Sequence, residues 1–306
     1  MAKVLVAGEA LIDVVRRQDG SVEAHVGGSP LNVAVGLARL GHDTELATHI
    51  AGDPYGALIV EHLSRDSVQL TAGSDTAART STAQATLAQD GSASYEFAID
   101  WRLEQHLSAD FGHFHTGSIA AVLQPGAIQV EQAIRTAREH ATISFDPNAR
   151  PSLMGDPHDA RAQIEQLIGL SDVVKASDED IAWLYGEQAS LDAVLNLWGQ
   201  LGPSLAVVTR GPYGARVHLS RTGEFADVPG ASVNVVDTVG AGDSFQAGLV
   251  SGLLDAGLLG GPDARAALRS ATLQDVLPAA ERAIACSAIT VSRAGANPPR
   301  RDELPA

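Results

Sequence analysis

The stretch VVDTVGAGDSF, residues 235–245, sets Asp237 and Asp243 six positions apart and fills the interval around Gly240, Ala241 and Gly242 with the smallest side chains. ASVNVV (231–236) before it is β-branched and reads as a strand, and FQAGLVSGLL (245–254) after it reads as a helix. GAGD therefore lies at the turn feeding a helix amino terminus, with the helix beginning near Gly242. Backbone N–H groups point out of such an end and carry together roughly half a positive charge. A phosphate fits there, because glycine and alanine let its oxygens come close to the backbone. Asp243 falls in the first turn, where its carboxylate can orient a hydroxyl that attacks the phosphate and accept its proton. The same residues also suit an ordinary helix capped after a glycine turn, and the stretch alone does not choose between the two. A dinucleotide fingerprint is excluded because its third glycine position holds Phe245, and a P-loop because the only lysines are Lys3 and Lys175.

Outward from this turn, strand-like runs alternate with helical spacing: KVLVAG, TELATHI, GHFHTG, ATISFD, DVVKA and SLAVVTR each precede a helical pattern. That order predicts an α/β fold, a mostly parallel central sheet flanked by helices. Ser29-Pro30 and Asp53-Pro54 each place a capping side chain before a proline at the first helical position, and Gly41 sits where the first helix should stop. Two segments break the series. DVVRRQDGSVEAHV, about residues 14–26, and RTSTAQATLAQDGSASYEFAI, about 79–100, carry Asp19-Gly20 and Asp90-Gly91 between extended runs and read as hairpins. Residues 1–306 thus read as one α/β domain with a small β-sheet lid, and the tail NPPRRDELPA as a loosely held end.

The 306 residues carry a formal charge of −16, which argues against a broad basic surface for nucleic acid or an anionic membrane. A local site for a small anion remains compatible with that charge, since a Debye length is roughly 8 Å. Cys286 is the only cysteine, so disulfides and cysteine zinc clusters drop out and a reducing cytoplasm fits best. The apolar amino terminus is interrupted by Glu9 and Asp13 and reads as a strand, and no uncharged run reaches the ~18 residues of a membrane span.

Two separated blocks carry a family resemblance. Asp237-Thr-Val-Gly-Ala-Gly-Asp243 resembles the carboxy-terminal signature of the ribokinase-like (PfkB) sugar kinases, and VGGSPLNVAVGLARLG (26–41) resembles their amino-terminal signature, with Gly27, Gly28 and Asn32 in place. GEALID, FDPNAR, VVKASDED and VVTRGPYGA continue the match along nearly the whole chain, in a combination most similar to bacterial fructokinases. The resemblance implies a ribokinase-like fold and an ATP-dependent sugar kinase, with Asp243 as base and the amides of Gly240 to Asp243 as anion hole. It places a monovalent cation, K+, beside Asp237 and the carbonyls near Val239, Thr290, Arg293 and Gly295.

On the sugar side, Asp13 can take paired hydrogen bonds from hydroxyls, Gly28 would let a sugar approach the main chain, and Asn32 offers both donor and acceptor. Asn148 and Arg150 follow a strand end, where α/β sheets commonly bind ligands, and an arginine can pair with phosphate. Lys175, Ser177, Thr209, Gly211 and Gly214 match the family's nucleotide side. By itself TRGPYG is only a hairpin turn. The sequence departs from the family twice. Asp180 stands where a glutamate is usual near Mg2+; it could reach metal-bound water, or simply cap the helix it opens. AIDWRLEQHL replaces the usual stretch after the second lid hairpin, leaving Trp101 or Arg102 to close over the sugar. Arg79 reads as a solvated strand residue, His113 and His115 share a strand face without a third ligand, and Cys286 reads as buried.

The sequence therefore points to transfer from ATP to a small sugar, fructose first, giving fructose 6-phosphate. Kinases for 2-keto-3-deoxygluconate, ribose or another small sugar are the nearest rivals, and a non-catalytic sugar-binding sensor is the rival of another class. Pairing of two lids would cover exposed sheet edges and make a homodimer.

Overall fold

The computed structural model describes residues 3–17, 20–87 and 93–305. The strands are β1 (Val4–Ala7), β2 (Leu11–Arg16), β3 (Val22–Gly27), β4 (Thr44–Ala47), β5 (Gln69–Leu70), β6 (Thr82–Leu87), β7 (Ala93–Ala98), β8 (His113–Gly117), β9 (Thr142–Asp146), β10 (Val173–Ser177), β11 (Leu205–Thr209), β12 (Ala215–Leu219) and β13 (Glu224–Val228). They form two sheets. The large one runs β13-β12-β11-β10-β9-β8-β1-β4-β5, parallel from β11 to β5, with β12 and β13 antiparallel at one edge. The small one runs β3-β2-β6-β7 and is the predicted lid, with β2 and β6 pairing in parallel and two antiparallel hairpins outside them. Its first strand begins earlier than the sequence suggested, at Leu11. Asp19 and the predicted Asp90-Gly91 turn lie outside the described residues.

The helices are α1 (Ser29–Arg39), α2 (Pro54–Arg65), α3 (Gly126–Ala137), α4 (Pro151–Met154), α5 (Pro157–Leu170), α6 (Asp178–Tyr185), α7 (Leu191–Leu201), α8 (Ala241–Asp255), α9 (Pro262–Ser270) and α10 (Leu273–Val291). They cover both faces of the large sheet, and each face has its own core. Val4, Val6 and Val207 point toward α1, α8 and α10, while Leu5, Phe114 and Phe145 point toward α3, α5 and α7. Burial on both faces explains why these strands read as continuous apolar runs. Fully burying one such side chain is worth about 2 kcal/mol before entropy is counted.

Three local expectations change. Residues 231–236 form no strand, and Val235 and Val236 stay 59% exposed. β-Branched residues favour a strand only where a neighbour can pair; here the sheet already ends at β13, and the N–H groups of Val236 and Asp237 donate instead to the carbonyl of Val291, the last residue of α10. The carboxy-terminal segment is tied down, Arg300 reaching Asp66 and Arg301 reaching Asp255, each at 2.7 Å. Ser29 does not cap α1: the cap position is Gly28, with no side-chain bond. Asp53 does cap α2, accepting from the Gly56 N–H at 2.8 Å.

The face of β8, β9 and β10 under α8 breaks the apolar rule and leads to the site. His113, His115, Thr142, Ser144, Asp146 and Lys175 lie there, all 2% exposed or less. His113 bonds Thr142 and Ser144, and His115 shares the Ser144 hydroxyl, each at 2.9 Å. Burial pushes both imidazoles down to about 3, so they are neutral near pH 7. Cys286 is buried in α10, and desolvation lifts its thiol to about 12.

Candidate active site

A cleft of about 1540 Å³ runs from the inner face of the lid to the amino end of α8. Asp13, Gly27, Gly28 and Asn32 line one end with Asn148 and Arg150, and residues 237–243 line the other, with Gly295 beside them. Asp243 stands where the two halves meet and is 7% exposed.

The α8 amino end is built by Gly240 in the left-handed region, φ 75°. A Cβ there would come within 2.6 Å of the Ala296 Cβ, so only glycine closes this turn against the 293–297 loop. The first intrahelical bond runs from the Ser244 N–H to the Gly240 carbonyl, so the Gly242 and Asp243 amides precede the ladder and face outward. The expected four-amide hole narrows, because the Ala241 N–H already donates to the Thr238 carbonyl at 3.2 Å.

Three neutral donors converge on the Asp243 carboxylate. Ser29 Oγ donates to Oδ1 at 2.6 Å, Asn32 Nδ2 to Oδ2 at 2.8 Å, and Asn148 Nδ2 reaches Oδ1 at 3.3 Å. Ser29 opens α1 and Asn32 follows one turn later, so both project from the same helix end. Asn148 reaches in because its backbone takes φ 37°, a strained value for a side-chain-bearing residue. Ser118, also lining the cleft, is held at φ 58°. These donors orient the carboxylate without an ion-pair partner on its oxygens, the arrangement a proton acceptor needs.

Lys175 lies beneath this cradle rather than in the cleft. Its Nζ bonds Asp146 at 2.8 Å and is 3.2 Å from where a Cβ on Gly242 would stand. Burial opposes the ammonium, but Asp146, Asp180 and Asp243 outweigh it and hold its pKa above the ordinary lysine value. Desolvation, with Asp180 and Asp243 nearby, moves Asp146 upward against the pull of Lys175. The ammonium, although paired with Asp146, is thus placed close behind Gly242 at the amino end of α8.

Two glycines at the lid end of the cleft have tight surroundings. Gly28 sits at φ 114°, and a Cβ there would strike the Glu9 carbonyl at 2.4 Å, so its bareness serves a backbone crossing. Gly27 makes room for Asp13, whose Oδ2 lies 2.3 Å from the absent Cβ. Asp13 is open to solvent through the cleft, yet desolvation by the walls raises its pKa. The sequence reading assigned no role to Glu9, a 4%-exposed acid on the cleft wall that accepts from the Ala120 N–H at 3.3 Å. Burial pushes its carboxyl up to about 7, against the pull of a Ser118 hydrogen bond.

Trp101 and Arg102 do not close over the cleft. Trp101 is 2% exposed, with its indole N–H on the Ala120 carbonyl, and Arg102 pairs with Asp100 and Glu104. Phe97 and Ala83 of the lid line that wall instead. Arg150 lines the cleft but folds back, its guanidinium 2.7 Å from Asn148 Oδ1.

Ser177 and Thr209 end β10 and β11 in register, and Gly211 and Gly214 occupy the turn after β11, Gly211 with open space at its Cα. Asp180 does not fit a Mg2+ role. Its Oδ1 accepts from the Ala149 N–H at 2.7 Å, and its Oδ2 caps α6 through the Ser177 N–H and hydroxyl at 2.7 and 2.8 Å. With Ser177 it forms a capping box, a role that a glutamate at this position can also fill. Among the described residues no group of three or more His, Cys, Asp or Glu comes together to hold a metal ion. Asp237 accepts from the Val239 and Gly295 N–H groups at 3.0 and 2.8 Å, which lowers its pKa and joins two loops. Thr290 and Arg293 lie behind them, the Thr290 carbonyl accepting from the Arg293 N–H at 3.0 Å. The Asp237 carboxylate is a hard oxygen donor of the kind a hard cation takes.

Comparison with known proteins gives consistent results. The profile of the pfkB family carbohydrate kinases matches residues 1–303. A fructokinase from Escherichia coli is 35% identical over 99% of this chain and 98% of its own length. A fructokinase from Xylella fastidiosa with bound ATP superposes with a TM-score of 0.83 at 27% identity, covering 96% of this chain and 93% of that one. A double mutant of the Vibrio cholerae O395 fructokinase, bound to fructose, ADP and potassium ion, gives 0.78 at 29% identity, covering 97% and 94%.

Proposed function

The chain belongs to the pfkB family of carbohydrate kinases, and from that premise we propose that this ATP-dependent sugar kinase phosphorylates D-fructose on its terminal hydroxyl. The observation that carries the reading is the Asp243 carboxylate, set by Ser29, Asn32 and Asn148 at the amino end of α8, in one cleft lined by the lid on one side and by residues 237–242 on the other.

The sugar lies under the lid against Asp13, Asn32 and Asn148, with its hydroxyl on Asp243. ATP lies over the ends of β10 and β11, near Ser177, Thr209 and Gly211, with its γ-phosphate at Gly242. As the sugar oxygen bonds to phosphorus, the bond to the β-phosphate oxygen breaks, and the hydroxyl proton passes to Asp243. The α8 amides and the Lys175 charge behind them stabilise the migrating phosphoryl group, and lid closure keeps out water that would hydrolyse ATP. A monovalent cation held at Asp237 would brace the loop that shapes the hole.

The acidic sugar end favours a neutral sugar: a sugar acid would set its own carboxylate against Asp13. A panel of fructose, ribose and 2-keto-3-deoxygluconate in a coupled ADP-release assay tests this, and turnover only with the sugar acid removes fructose. The exposed edge strand β3, with Val22 48% exposed, supports a homodimer through the lid. Its single buried cysteine and its need for ATP suit the cytoplasm. Among the described residues no helix is long and apolar enough to cross a membrane.

A further inference from the structure

We infer that Ser29 is a positioning residue for phosphoryl transfer, its hydroxyl fixing the orientation of the Asp243 carboxylate; the inference rests on Asp243 being the base. Ser29 Oγ lies 2.6 Å from Asp243 Oδ1 and 2.6 Å from Asn148 Nδ2. The amide nitrogen can only donate, so the serine oxygen accepts from Asn148, and its single proton is directed to Asp243. Local structure leaves that proton available. Ser29 makes no cap bond on α1, and the next residue, Pro30, has no N–H.

The three donors to Asp243 differ in how they meet the sugar. Asn32 and Asn148 are half-buried on the cleft wall and are expected to exchange partners when hydroxyls arrive. Ser29 also lines the cleft, but it is only 7% exposed, and its hydroxyl is already engaged by Asp243 and Asn148. It is the donor that holds the carboxylate while the other two turn to the sugar. The charged groups facing Asp243 are Asp146 and Lys175, on the strands under α8, and neither is altered by a change at Ser29.

The test compares Ser29→Ala, Ser29→Thr and Asp243→Asn in the full chain, with fructose and ATP. For Ser29→Ala we expect kcat to fall about 10- to 100-fold with both KM values within about twofold, since a ground-state contact to substrate is not lost. The acid limb of its kcat profile should move to higher pH, because a carboxylate that loses a donor takes up a proton more readily. Ser29→Thr keeps the hydroxyl and should recover most of kcat. A kcat for Ser29→Ala within twofold of the parent, or a fall with an unmoved acid limb, overturns the role of Ser29 while an inactive Asp243→Asn leaves the base in place. An active Asp243→Asn removes the base reading itself.

Discussion

Asn32 Nδ2 and Asp243 Oδ2, 211 positions apart in the chain, lie 2.8 Å apart across the junction of α1 and α8. The two signature blocks of the sequence thus meet in one hydrogen bond. Asn32→Asp turns that donor into a second carboxylate, and two adjacent carboxylates cannot both stay ionised. Turnover should fall about 100-fold or more while the fold survives, read by coupled assay and circular dichroism. Turnover within threefold of the parent would show that the contact does not matter.

The Lys175–Asp146 pair makes a stability prediction. Both groups are buried, at 2% and 1% exposure, and bonded at 2.8 Å. Lys175→Met leaves Asp146 uncompensated and should cost about 3 kcal/mol or more in urea unfolding. Adding Asp146→Asn removes the stranded charge, so the double variant should be more stable than Lys175→Met alone. Strictly additive losses would contradict coupling between the two.

Glu9 makes a pH prediction. Its carboxyl is raised from 4.5 to about 7 in the folded chain, so between those values the unfolded chain has released a proton that the folded chain keeps. Stability from this group is then greatest below about 4.5 and declines as pH rises through about 7, by on the order of 3 kcal/mol in total. Glu9→Gln can keep the contacts to Ser118 and Ala120 without titrating. Its melting temperature should therefore gain on the parent between pH 4.5 and pH 8, and a constant difference would contradict the shift.

Much of this was legible in the chain, for physical reasons that also mark where legibility ends. The parallel strands are apolar because helices cover both faces, and Gly240 and Asp243 carry a local pattern that survives without tertiary context. Ser29 was misread because Ser-Pro at a helix start looks the same whether the hydroxyl bonds its own helix or an acid 214 residues away. Asp180 was open to two readings, and only its hydrogen bonds to Ser177 and Ala149 show the capping one. Glu9 and the Asp146–Lys175 pair depend on burial, which no local pattern announces. Residues 231–236 had strand propensity but no strand to pair with.

The base itself is tested by Asp243→Asn, with kcat and fructose affinity measured on the same preparation. Asparagine keeps the shape and can still meet Ser29, but it cannot accept the proton. We expect kcat to fall at least about 1000-fold while calorimetric fructose affinity stays within about fivefold. A kcat close to that of the parent would show that the carboxylate held by Ser29, Asn32 and Asn148 is not the proton acceptor.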